Sequence, residues 1–157
     1  MTIKKPIKVH QVKSFKSFPK DEDGTPQDRS VKAVAYPSKR EIYVVKGKTS
    51  ESDKQHEIGH VVHRDANDWP YKSEIFVRDE LEASLYAYKK TGAPKHMLSR
   101  LRAIFNDLYR NHYKISAREA LSTIGKELRR LPVPKSWLND YQLLRQLVIK
   151  SFGWRKK

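Results

Sequence analysis

Two histidines one helical turn apart, with a glutamate beside the first, constrain this chain more than any other stretch: His56-Glu57-Ile58-Gly59-His60. The pattern H-E-x-x-H places two metal ligands and a general base on one helix. Residues four apart on an α-helix differ by roughly 40° around the axis and about 6 Å along it, so both imidazoles can reach one ion. Glu57 lies between them, where its carboxylate can hold a water activated by the ion and take its proton. Two neutral imidazoles leave the ion its positive charge, which draws the pKa of such a water toward about 7. That is hydrolytic chemistry. With 6 His and 9 Glu in 157 residues, the pattern would arise in roughly one shuffled chain in a hundred. The plain alternative is a polar helix face carrying His56, His60 and His63.

Composition narrows what could complete the site. The chain has no cysteine, which removes disulfides, thiolate catalysis and cysteine-based zinc sites together, so a metal must be held by histidine and carboxylate. Its net charge of +15 is unevenly spread. Residues 1–48 hold 12 Lys+Arg against 5 Asp+Glu, residues 49–88 hold 4 against 9, and residues 89–157 hold 17 against 4. The H-E-x-x-H region is the one acidic island. A cation site wants anionic surroundings, whereas the basic flanks suit an anionic partner, nucleic acid or an acidic protein, or else simply keep the surface solvated. With 38% hydrophobic and 32% charged residues, no apolar run approaches a membrane span. The basic start, Met1-Thr2-Ile3-Lys4-Lys5-Pro6, lacks the apolar core of a secretion signal, and a cytoplasmic protein without membrane contact is expected.

Ahead of the motif, residues 1–17 alternate loosely and fit a short edge strand whose lysines discourage pairing with other chains. Residues 19–30 carry two prolines and no large apolar residue and read as a loop. The runs 31–36 and 41–46, separated by Pro37-Ser38-Lys39-Arg40, predict a β-hairpin. A strand directly before the motif could lend its edge to an extended peptide. Ser50 with Asp53 has the form of a capping box, starting a helix that runs to about Arg64. Within it Ile58, Val61 and Val62 form the apolar side, and His63 suits the surface or a supporting contact better than the ion.

Residues 65–72 predict a loop, and a second helix runs from about Ser73 to Lys90, stopped by Gly92 and Pro94. Its apolar positions Val77, Leu81, Leu85 and Tyr88 leave Asp79, Glu80 and Glu82 to choose a side. Two histidines do not complete a zinc site, and this carboxylate cluster is the nearest supply of a third ligand. An aspartate ligand six residues after the second histidine would fall at Ala66, and Asp65 misses it by one. A metzincin would need glycine and histidine where the chain has His63 and Ala66.

His56-Glu57-Ile58-Gly59-His60 followed by Glu80-Leu81-Glu82-Ala83-Ser84-Leu85-Tyr86-Ala87 resembles the zincin metallopeptidases, most closely the ImmA/IrrE type. There H-E-x-G-H is followed on a second helix by a motif close to E-x-E-A-N-x-F-A, with Ser84 and Tyr86 standing here where that family usually has asparagine and phenylalanine. The resemblance implies Zn2+ as cofactor and Glu82 as the third ligand, with Glu80 the alternative. It covers about residues 31–92, so 1–92 is expected to be a zincin-like core, with 30–92 its motif-bearing part.

Residues 93–157 predict a basic, wholly helical extension packed on that core as one domain. A helix from Pro94 to about Tyr113 carries Met97, Leu98, Leu101, Ile104, Phe105 and Leu108 at core spacing. Ser116 with Glu119 caps another that stops before Pro132, and Pro134 and Ser136 begin the last. The tail from Trp154 is expected to fray. Basic outer faces with Tyr109, Tyr113 and Trp154 nearby could hold phosphates and stack bases, although no nucleic-acid motif is present.

The expected fold is thus α+β and zincin-like: a small N-terminal hairpin or sheet, a metal helix, a glutamate helix and a helical extension. The expected function is that of a zinc-dependent endopeptidase acting on a protein or peptide, with His56, His60 and Glu82 on the metal and Glu57 as base. Tyr86, Tyr43, His96 and His112 are candidates for stabilising the oxyanion. The rival is a nucleic-acid or acidic-partner binding protein whose zinc site is structural or vestigial, a closed structural site needing His63 or Asp79 as fourth ligand.

Overall fold

In the computed structural model, residues 6–13, 33–63, 65, 70 and 72–154 are described. They form an α+β arrangement with a three-stranded sheet and five α-helices. The chain divides into two compact units, residues 1–68 with 82–92, and residues 69–81 with 93–157. No helix among the described residues is long and apolar enough to cross a membrane.

In the first unit, β2 (Ala33–Tyr36) and β3 (Glu41–Val45) pair antiparallel with Ala33 opposite Val44 and Tyr36 opposite Glu41, which is the expected hairpin. Its polar turn is a single 3-10 turn, Pro37–Lys39, closed by Arg40 in the left-handed conformation. β1 (Lys8–Val12) lies on the other side of β3, parallel to it, so the order is β1-β3-β2. The strand expected to offer its edge to a peptide is therefore the central one, with both its edges used. The edges of the sheet belong to β1 and β2. The loop expected over 19–30 lies outside the described residues.

Alternation along β3 sends Ile42 and Val44 to one face, where they bury against Val61 with Ile7, Ala33, Ala35 and Ile58 around them. On the opposite face Tyr43 stacks on His10 at 4.5 Å and meets Tyr36 edge-on at 5.8 Å. A tight turn links β3 to the next helix: Gly47 takes φ +76°, and Thr49 both donates its N–H to the Val45 carbonyl and accepts the Val45 N–H on its hydroxyl. The helix α1 (Glu51–Val62) follows, with Ser50 accepting the Asp53 N–H at 3.0 Å as the capping box predicts. Ile58 and Val61 turn toward the sheet.

α2 (Ser73–Thr91) begins and ends close to expectation, with Gly92 at φ +76° accommodating the turn that stops it. Its residues 82–91 belong to the first unit. There Gly59 of α1 lies against Ala83: a Cβ on Gly59 would come within 3.0 Å of the Ala83 Cα and 3.2 Å of its carbonyl. Backbone touches backbone, and this is what brings the motif helix onto α2.

The second unit corrects one expectation. Instead of one helix over 94–113, α3 (Leu98–Asn106) starts at Met97 and passes into a π-helical turn, Asp107–Asn111. Residues 94–97 are held by other means, since Asp140 accepts the Met97 N–H at 2.7 Å and Trp137 donates its indole N–H to the Pro94 carbonyl. α4 (Ala117–Arg130), capped by Ser116, and α5 (Lys135–Phe152), closed by Gly153, match their start and stop signals. The core is the predicted apolar stripes, with Leu101, Leu108, Ile124 and Trp137 fully buried. Gly125 leaves room for the Tyr141 hydroxyl to reach the Leu121 carbonyl at 2.8 Å.

Candidate metal centre

His56 and His60 stand one turn apart on α1 with their Nε2 atoms 3.1 Å apart and their rings nearly perpendicular. Two imidazole nitrogens at zinc-bond length from one tetrahedral ion would lie about 3.3 Å apart. The 3.1 Å separation is that of a hydrogen bond between the two rings, and it is also close to the spacing of two ligands sharing an ion. The other nitrogen of each ring is anchored. His60 donates its Nδ1–H to Asp65 Oδ2 at 2.8 Å, and His56 Nδ1 meets Ser84 Oγ at 3.0 Å.

These anchors decide the protonation of the rings. A carboxylate only accepts, so the His60 proton sits on Nδ1 and leaves a lone pair on Nε2. Ser84 can donate or accept, so His56 can present either an N–H toward His60 or a lone pair toward an ion without losing its partner. Outer contacts of this kind fix the orientation of metal-ligating histidines and raise their basicity. His56 is 4% exposed and Ser84 fully buried, so the pair is shielded from competing water.

The third member is Glu80. His56, His60 and Glu80 each offer a ligand atom, and these atoms all lie within 4.8 Å of one another, so the group could hold a metal ion. Glu82, which the resemblance favoured, is not in that group. Helix geometry gives the reason, because two residues along an α-helix rotate the side chain by roughly 200°. Ser84, which contacts His56, and Ala83, which contacts Gly59, lie four and three residues after Glu80, so Glu80 shares their stripe and Glu82 does not. Among the described residues the group has three protein members. His63 caps the end of α1 and packs edge-on against Tyr86.

Of the residues proposed for the oxyanion, Tyr86 also carries Lys90 over its ring, and Tyr43 belongs to the open face of the sheet. His96 is largely exposed and lies 3.5 Å from Asp140. His112 follows the π turn and lies close enough to Asp107 to favour its ionised form. Glu57 follows His56 on α1, half-buried.

The sequence reading overlooked the setting of Glu80. The π turn brings Asp107 into its electrostatic reach: burial first, and the Glu80 charge in addition, raise the Asp107 carboxyl above its ordinary value against the Asn111 hydrogen bond and His112. Burial, then Asp107, Asp79 and Glu80, push the Tyr113 phenol up to about 12. Its hydroxyl donates to the Pro70 carbonyl at 2.8 Å. The small-residue run Ala83, Ser84, Ala87, in register with Glu80, was the signal that could have found this face. Comparison with protein-family models, curated proteins and solved structures finds no match to this chain.

Proposed function

We propose that the protein is a zinc-dependent endopeptidase in which His56, His60 and Glu80 hold the ion and Glu57 is the general base. The observation that carries this reading is the paired Nε2 geometry, with each ring anchored through Nδ1 by Asp65 or Ser84. Two imidazoles and one carboxylate, without sulfur, suit Zn2+, and three protein ligands is the count of catalytic rather than closed structural zinc sites. The likeness of the two motifs to those of ImmA/IrrE-type zincins supports the same reading.

When bound, the ion would supply Lewis acidity, lowering the pKa of a water and polarising a peptide carbonyl. Glu57 takes the proton of the attacking water and passes it to the departing amine. A phenol donates to the developing oxyanion. Tyr86, on the same stretch of α2 as Ser84 and in edge-on contact with His63 at the end of α1, is the phenol assigned to that task. Tyr86→Phe should lower kcat by about 10²–10³ with little change in KM.

The decisive test uses Glu57→Gln. This variant should retain one zinc per chain by elemental analysis and lose cleavage of an unfolded protein substrate that the native chain cleaves. Unchanged cleavage would overturn the role of Glu57, and a native chain with no zinc after purification in its presence would overturn the site.

A further inference from the structure

The second unit carries a feature that peptide hydrolysis does not use. Gly153 ends α5 with φ +65°, and the chain turns back so that the Trp154 N–H reaches the Ile149 carbonyl. Trp154 therefore does not fray but stacks on Phe152, with ring centroids 5.0 Å apart. Phe152 meets Tyr109 edge-on at 5.5 Å, and Tyr109 in turn stacks on the buried Phe105. Cations cover both ends, with the Arg118 guanidinium 4.1 Å from the Trp154 ring centre and that of Arg110 5.8 Å from Tyr109. Three elements, the π turn, the start of α4 and the end of α5, build this ladder. It stays accessible, for Phe152 is 39% exposed and Arg110 and Arg118 lie on the surface.

Its surroundings are more basic than the composition suggests. Residues 93–157 contain fifteen Lys+Arg and four carboxylates. Glu127 is buried beneath Arg78 and Arg130, Asp140 is buried on the Met97 N–H, and Asp107 is half-buried. Only Glu119 of the four stands exposed.

We propose that this ladder is a binding site for single-stranded nucleic acid, in which the exposed Arg118 turns from the Trp154 ring to a phosphate and a base takes its place on the indole. A single strand is the polymer that offers one negative charge and one flat π face per repeat, which is what alternating guanidinium and ring surfaces complement. A duplex hides its base faces, and an acidic peptide has the charge without the rings.

Fluorescence anisotropy of the full chain with a labelled oligothymidylate, a duplex of equal length and polyglutamate tests the assignment. The single strand should bind most tightly, with affinity falling linearly in log salt. Trp154→Ala, Arg118→Ala and Phe152→Leu, the last keeping apolar volume at the site, should each weaken it at least about fivefold. Lys135→Ala, at the far end of α5 and roughly 25 Å from Phe152, should leave it nearly unchanged. Absent binding at low salt, tighter binding of duplex or polyglutamate, or a loss in Lys135→Ala equal to that in Trp154→Ala would each overturn the proposal.

Discussion

Asp65 lies five residues after His60 and accepts the Nδ1–H of that ring at 2.8 Å. Its offset by one from a ligand position, which excludes it as a ligand in the sequence, puts it behind the ligand instead. Asp65→Asn should lower metal affinity by about 10–100-fold, measured by competition with a chromophoric chelator. Ser84 serves His56 in the same way, supplying a hydrogen-bonding oxygen from a fully buried position. For the third ligand, Glu80→Ala should abolish stoichiometric zinc while Glu82→Ala retains it; the reverse result would restore the residue that the motif alone favoured. The sequence narrows the choice to neighbouring acids, and the rotation of α2 about its axis sets Glu80 within reach of the histidines.

Helix contact is what sets that rotation. Gly59 is inside the motif yet its role is packing, since the place of its missing Cβ is taken by the backbone of Ala83. Backbone cannot swing aside as a side chain can, so Gly59→Ala should cost about 1–3 kcal/mol by urea denaturation and weaken metal binding with it. The local signals were legible because they are local: Ser50 and Ser116 cap where their spacing predicts, and Gly92 and Gly153 close helices with positive φ. The parallel pairing of β1 with β3 and the π turn at Asp107–Asn111 were not legible. Strand pairing over some thirty residues leaves no local mark, and a π turn follows from how the helix end is held. Asp140 illustrates the same point, as an apparently solvent-facing acid that is buried on the Met97 N–H. Asp140→Ala orphans that donor and should destabilise the fold by about 1–3 kcal/mol.

For the molecule as a whole, folding places several phenols where ionisation is resisted. Burial raises Tyr141, against Arg145 and Arg129, and its hydroxyl is a donor to the Leu121 carbonyl, a role the phenolate cannot fill. Tyr113 is pushed up to about 12. A phenol whose folded pKa lies above its unfolded value of about 10 binds more protons in the native state between the two. Its stabilisation is complete below about pH 10 and is lost as pH rises toward about 12. Thermal melts should therefore fall steeply across that window, and less steeply in Tyr113→Phe.

His56, Glu57 and His60, the helix they ride on, the hairpin before it, the apolar stripes of the C-terminal helices and the uneven charge were determined by sequence alone, because each depends on spacing within one element. The tertiary structure decided what holds the histidine rings, which strand is central and where the aromatic residues of the basic end assemble, and it groups Glu80 with the histidines as a possible ligand. Those depend on the rotation and contact of elements far apart in the chain, set by close approaches such as Gly59 on Ala83 that no single stretch of sequence contains.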